Sequence, residues 1–323
     1  MACRHPAQPF HSNECTAPQR VIPRTSMKSP REGFRDQTFP QALEAALGGK
    51  TDALYTLLAK LSGLPGTRVN LGMVEAFATE VAAIGKRGDA LLRAMILLDA
   101  DFAPGGSAHE IVPVCAVYAL GLRGRDPSAR AMAIDLLHAA SDDLRFRVRD
   151  AVPIGIARIG EVVGDPLVRE IAPYMDGYFH AAAALGALGI AGFLDATKDA
   201  AEVTARLHEG FMLVKDANRS ASRYPGHKAL MDVLLAVPPK LARRYPSEIV
   251  AEVDVWATVK DPALRALAHG VAKGLRARYG EEAERIAASL QRTKPIPRDP
   301  TLFVHGTRGR GRKKGLKGTG PTS

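Results

Sequence analysis

The densest cluster of positive charge in the chain lies near its C-terminus. Six cations fall within ten residues and are separated by glycines, namely Arg308, Arg310, Arg312, Lys313, Lys314 and Lys317. Cations on a flexible, Gly-rich segment can follow a phosphate backbone without fixed geometry. The spacing therefore predicts contact with nucleic acid or another acidic partner. The alternative is an unstructured tail that only keeps the chain in solution.

A second group of cations is interleaved with aromatic residues in the middle of the chain. It consists of Lys215, Arg219, Arg223, Tyr224, Lys228, Arg243 and Arg244. Cations beside aromatic rings can hold phosphates and stack bases. This run is a second candidate binding surface. The alternative is an ordinary solvated face, with arginines near helix C-termini.

Signatures of catalysis and metal binding are scarce. His208 and Glu209 begin like a zinc-protease motif, but Met212 stands where the second histidine is required. His138 and His180 lie in apolar helical stretches, which favours core or interface histidines over ligands. The sequence thus predicts no catalytic residue, no metal site and no cofactor, and an enzymatic activity is not expected.

The net charge of +10 is located outside the central segment. Residues 1–40 hold six Lys and Arg against three Asp and Glu, residues 294–323 hold eight against one, and residues 41–293 hold thirty of each sign. A neutral body argues against a nucleic-acid clamp over its whole surface. Three cysteines without a CxxC pair, and no long apolar run, predict a reducing, cytoplasmic location and no membrane partner.

Helical periodicity dominates the elements that must position these residues. Short helices are predicted over 39–47, 51–61 and 89–100, and a longer one runs to residue 84 from a cap at Asn70. Ser107 and Glu110 have the spacing of a capping box. The connector over 62–70 is interpreted either as a corner or as a site.

Three segments share the pattern Asp-Pro-x-x-Arg, beginning at Asp126, Asp165 and Asp261. Aspartate accepts hydrogen bonds from free N–H groups at a helix start, and proline fits the first turn because it has no N–H to satisfy. Asp143 begins a related segment without proline. The first two aspartates are 39 residues apart, and Asp143 lies 118 residues before Asp261, which indicates a period near 40.

The stretch over 143–160, DLRFRVRDAVPIGIARIG, resembles the second helix of a HEAT repeat, and residues 260–280 resemble it again. The resemblance implies an all-α, HEAT-like α-solenoid of helix pairs over 37–292. We expect a disordered head over 1–36 and a disordered basic tail over 293–323. Within the repeat, at least one of Arg145, Arg147 and Arg149 is predicted to pair with a nearby aspartate, and Arg147 is predicted to be structural.

A solenoid offers long surfaces and few enclosed pockets, so the resemblance implies a non-catalytic scaffold that binds a protein partner. The basic tail would add contact with nucleic acid. The alternative is a HEAT-like DNA glycosylase acting on alkylated bases, which would use an exposed aromatic ring beside a carboxylate. Asp254 and Trp256 point in different directions on a helix, so Trp256 is predicted to be a core anchor.

Overall fold

The computed structural model describes residues 38–218 and 220–293. These residues form sixteen α-helices and four short 3-10 helices and contain no strand, which confirms the all-α prediction. The predicted head and nearly all of the predicted tail lie outside the described residues.

The α-helices are α1 Thr38–Leu47, α2 Asp52–Leu61, α3 Leu71–Ile84, α4 Asp89–Ile96, α5 Ile111–Arg123, α6 Pro127–Ala140, α7 Phe146–Val163, α8 Asp165–Glu170, α9 Tyr178–Leu188, α10 Ala191–Ala196, α11 Ala200–Lys215, α12 Pro225–Ala236, α13 Pro238–Leu241, α14 Pro246–Trp256, α15 Pro262–Leu275 and α16 Gly280–Arg292. The 3-10 helices are Gly85–Gly88, Ala108–Glu110, Ala172–Asp176 and Ala221–Arg223.

The start of α3 follows the sequence prediction closely. The Asn70 side chain accepts a hydrogen bond from the backbone N–H of Met73 at 3.2 Å, as an N-cap does. The preceding connector is held by its own hydrogen bonds, because the buried Ser62 hydroxyl donates to Ala59 O at 2.7 Å and accepts from Leu64 N at 2.9 Å. These bonds favour the corner interpretation of the connector.

The predicted capping box before α5 does not form, because the N–H of Ser107 donates to Pro104 O and not to Glu110. The Ser107 hydroxyl is buried without a partner, whereas the Glu110 carboxylate accepts from the backbone N–H of Gly106 at 2.7 Å. The helix predicted over 89–100 ends at Ile96. A turn follows in which the Asp99 carboxylate accepts from the N–H two residues on at 2.9 Å, and this local bond competes with continuation of the helix.

All three Asp-Pro segments begin helices, but their aspartates act differently. Asp126 and Asp261 accept from backbone N–H groups of the first turn at 2.9 Å. Asp165 instead accepts from two N–H groups in the loop before α11, at 2.7 and 3.0 Å, and so links two segments. Arg130 and Arg265 turn back to carbonyls of the loop before their helix rather than to the aspartate, at 3.3 and 3.2 Å. The arginine of the motif thus joins α6 and α15 to the loops before them, whereas Asp165 joins α8 to a later loop.

One set of helices forms a row in which each helix packs on the next. The row consists of α3, α5, α7, α9, α12 and α15, and we call it the main row. A second set, α4, α6, α8, α11, α14 and α16, packs along the main row. The resembling segments at α7 and α15 stand three packing steps apart, in agreement with three periods of about 40 residues.

Neighbouring helices of the main row, from α5 to α15, run parallel. Residues near helix starts contact residues near helix starts, and later residues contact later ones. The pairs are Glu110–Arg147, Gly121–Gly155, Arg149–Phe179, Pro153–Gly186, Phe179–Gly226, Gly189–Val237, Leu235–Gly270 and Pro239–Gly274. The approach at Gly121 is so close that a Cβ there would lie 2.6 Å from the carbonyl oxygen of Gly155. Parallel packing gathers the helix starts along one edge.

Candidate functional site

The starts of α5, α7, α9 and α12 present a continuous group of rings and cations, which we call the N-terminal edge. Its side chains are Phe102, His109, Phe146, Arg147, Arg149, Tyr178, Phe179, Arg223, Tyr224, His227 and Lys228. Three of its rings are at least half exposed, with Phe102 at 55%, Phe146 at 50% and Tyr224 at 60%. Large exposed rings that cluster on one surface are typical of interaction sites.

Rings and charges alternate where α5 meets α7. The rings of Phe102 and His109 meet edge to face, with centroids 5.6 Å apart. The Arg147 guanidinium lies 4.6 Å from the centre of the Phe146 ring and donates to the Glu110 carboxylate at 2.8 Å. Glu110 is fully buried, so this arginine supplies the charge that compensates a desolvated carboxylate. The structural role predicted for Arg147 is confirmed.

A second arginine joins the start of α7 to the loop before α5. Arg145 is nearly fully buried and holds Asp143 through two hydrogen bonds, of 2.8 Å from Nε and 2.6 Å from Nη2. Its remaining Nη1 donates to the carbonyl of Ala103 at 3.3 Å. The predicted pairing of one of these arginines with a nearby aspartate is confirmed. Arg149 instead lies 4.6 Å from the ring centre of Phe179, on α9.

The edge continues from α9 to α12. Tyr178 and His227 meet edge to face at 5.3 Å. Gly226 allows the approach, because a Cβ at that position would lie 3.1 Å from the Phe179 ring. Tyr224, the residue before α12, extends outward from this contact as the most exposed ring of the edge. Aromatic contacts thus run between consecutive helix starts.

The cations beside Tyr224 differ from those at α7. Arg223 and Lys228 are exposed, and neither makes an ion pair with the described residues. Lys215 is likewise exposed at the end of α11, and the start of α11 lies beyond the end of α12, because Arg244 donates to Thr197 O. These cations are free to meet an anionic group.

The structure divides the basic surface predicted from the sequence. Its members near the N-terminal edge are Lys215, Arg223, Tyr224 and Lys228. Arg243 and Arg244 lie at the opposite edge, where Arg244 Nε donates to Thr197 O, close before α11, at 2.8 Å. Lys215 lies at the other end of α11, roughly 22 Å along the helix axis from the first residue of that helix. Arg219 and the six tail cations lie outside the described residues.

Trp256 is an element of the core. It is fully buried, and its ring stacks on Phe211 with centroids 4.4 Å apart and an interplanar angle of 4°. Its Nε1 donates to Glu252 at 2.7 Å, and the same carboxylate meets His208 Nδ1 at 2.8 Å. The predicted core role is confirmed. A ring in this position has no face left for a flipped base, so Trp256 gives the glycosylase alternative no support.

Two histidines and an aspartate meet near the start of α9, which the sequence interpretation missed. Asp176 Oδ1 lies 2.7 Å from His180 Nδ1, and Asp176 Oδ2 lies 3.2 Å from His138 Nε2. Burial raises the pKa of Asp176, but hydrogen bonds from both histidines outweigh it and hold that pKa below its usual range. Two sequence signals point to this cluster: His180 is four residues after Asp176, and His138 precedes it by 38 residues, close to one repeat period.

The chain was compared with known proteins in three ways. No protein-family model, curated protein or solved structure matches it. Among the described helices, none is both long and apolar enough to cross a membrane.

Proposed function

We propose that this chain is a HEAT-like α-solenoid that serves as a non-catalytic scaffold and binds an acidic segment of a protein partner along its N-terminal edge. The order of helix contacts supports the solenoid. Each helix of the main row packs on the next in the row, and the second set of helices lies along it. Repeat proteins are built from such nearest-neighbour contacts and offer extended binding surfaces.

The observation that carries the proposal is the arrangement of four parallel helix starts behind exposed rings and cations. Helix starts carry partial positive charge from unpaired N–H groups. Aromatic residues and arginine are the residue types that contribute most to binding energy in protein interfaces. The edge combines both features over four consecutive helices, from Phe102 to Lys228.

The unpaired cations indicate the chemistry of the partner. Lys215, Arg223 and Lys228 are exposed and have no carboxylate partner among the described residues, so a segment rich in Asp or Glu would supply carboxylates that they can bind. Tyr224 beside them would cover the apolar part of the same segment. In the proposal, the tail cations at 308–317 provide a separate, flexible contact with nucleic acid.

A fluorescence-anisotropy titration with a labelled Glu-rich peptide tests the edge. The full chain is compared with the variant Arg223→Glu, Lys228→Glu. The control is Arg243→Glu, Arg278→Glu, which makes the same charge change at the opposite edge, where Arg278 follows α15 and lines the same surface pocket as Arg243. We expect the edge variant to bind about tenfold or more weakly, equivalent to about 1.4 kcal/mol, and the control to bind as the wild type does. Equal losses in both variants would show general charge attraction and would refute the edge as the site.

The tail is tested separately with single-stranded RNA, single-stranded DNA and duplex DNA across a salt series. A full-length variant in which all six tail cations become glutamine is compared with the wild type. We expect the wild type to bind with a steep salt dependence and the tail variant to lose that dependence. Unchanged nucleic-acid binding in the tail variant would assign the contact to the helical body instead.

A further inference from the structure

The cluster of His138, Asp176 and His180 brings three metal-ligand atoms together from three elements. His138 lies near the end of α6, Asp176 ends the 3-10 helix before α9, and His180 lies in the first turn of α9. One ligand atom from each residue lies within 4.8 Å of the others. We propose that these three side chains bind one divalent transition-metal ion, with Zn²⁺ as the probe. This inference does not rest on the proposed function.

The distances fit a metal site with little adjustment. Ligand bonds of about 2.0–2.1 Å at the tetrahedral angle place two ligand atoms about 3.3 Å apart. The separation between His138 Nε2 and Asp176 Oδ1, 3.3 Å, already matches this value. The 2.7 Å separation between His180 Nδ1 and Asp176 Oδ1 must lengthen by about half an ångström, which a side-chain rotation can supply.

The surroundings hold both imidazole rings in place. The two rings lie 3.9 Å apart at 33° to each other, and the Tyr174 ring meets His138 edge to face at 4.8 Å. The Tyr174 hydroxyl donates to the carbonyl of Ile134 at 2.8 Å and thereby fixes that ring. Gly177 leaves room for His180, because a Cβ there would lie 3.0 Å from Nδ1. These contacts limit the orientations that the two imidazole rings can adopt.

Access and ligand type also favour an ion from solvent. The Asp176 side chain is 55% exposed, whereas the two histidines are mostly covered, so an ion can enter from the carboxylate side. Two neutral imidazoles and one carboxylate are ligands that zinc and its neighbours in the periodic table bind readily. Three protein ligands leave a further coordination position for water or a partner group.

The test is a Zn²⁺ titration by competition with a chromophoric chelator. All proteins are full-length and carry Cys3→Ser and Cys15→Ser, so that these two thiolates do not contribute. We expect one Zn²⁺ per chain at this site, and a loss of affinity of about 100-fold or more in His180→Gln, since changes to outer-shell groups alone cost about 10–100-fold. The control His208→Gln removes a histidine that pairs with Glu252 and should bind as the parent protein does.

Asp176→Asn is a second variant that keeps the shape of the aspartate. It provides the test if His180→Gln misfolds, and circular dichroism would reveal that misfolding. A loss of affinity in Asp176→Asn with unchanged helix content supports the site. The proposal is overturned if the parent protein shows no saturable Zn²⁺ binding. It is equally overturned if a folded His180→Gln or Asp176→Asn protein binds Zn²⁺ as tightly as the parent.

Discussion

The starts of α7 and α12 hold their positive charges in different ways. At α7, Arg145 and Arg147 are largely buried and each binds a carboxylate, Asp143 and Glu110 respectively. At α12, the neighbouring cations are exposed and bind no carboxylate among the described residues. The same residue types therefore serve two purposes along one surface.

Burial of the partner decides which purpose a cation serves. A carboxylate without solvent, such as Glu110, needs a positive partner in the folded state, so Arg147 stabilises the fold. An exposed cation such as Lys228 contributes little to folding stability and remains available to bind an anionic ligand. Four variants, ordered from the largest expected effect to the smallest, test this distinction.

Arg147→Met should have the largest effect. It leaves the Glu110 carboxylate buried without its positive partner, and we expect the free energy of unfolding to fall by about 3–5 kcal/mol. Urea unfolding followed by circular dichroism measures the change. The double variant Arg147→Met, Glu110→Gln should recover much of the loss, because the buried charge is then removed together with its partner. A loss below about 1 kcal/mol in the single variant would place Arg147 with the exposed cations.

Arg145→Lys keeps the charge but loses the two-pronged contact with Asp143 and the bond to Ala103 O. We expect a loss of about 1.5–3 kcal/mol, since lysine offers one point charge instead of a planar fork. The same measurement applies, with Arg223→Lys as a control that should not change stability. If both variants change the free energy of unfolding by the same amount, the cations at α7 and α12 do not differ in their structural role.

Asp126 extends the comparison to the opposite edge and predicts a pH dependence. Hydrogen bonds from the backbone N–H and hydroxyl of Ser128, and then one from Arg123, lower the pKa of Asp126 to about 2. The stability that this carboxylate contributes is present above its unfolded pKa near 3.9 and disappears as pH falls through about 2.

The check is the urea midpoint of Asp126→Asn against the wild type. Asparagine also caps helices, so the remaining difference reports the charge. We expect the variant to be less stable at pH 5, and most of that difference to be gone near pH 2. If the difference in stability persists unchanged near pH 2, the shape of the side chain accounts for the effect and its charge does not.

The smallest effect on stability is expected for Arg223→Ala with Lys228→Ala. Both side chains are exposed, so the free energy of unfolding should change by no more than about 0.5 kcal/mol. Binding of the Glu-rich peptide should nevertheless weaken. A clear loss of stability would show that these cations have structural partners and do not form a binding surface.

Much of the helical framework could be predicted from local sequence. Asn70, Asp126 and Asp261 cap helices as their types and positions indicate, because a cap needs only the first turn of its own helix. The candidate site was predicted less completely. Tyr224 and its neighbouring cations were found by composition, whereas Phe102 and Phe146 were not, since nothing in their local sequence shows that they stay exposed.

By itself the sequence determined where several helices begin, that the central segment is neutral, and that a period near 40 residues recurs. The tertiary structure decided which helix starts lie side by side, and so it separated Arg244 from Lys215 and joined His138 to His180. The reason is the range of the interactions. Helix caps and helix-breaking residues act within one turn, whereas exposure, charge pairing and ligand clusters depend on which helices pack together.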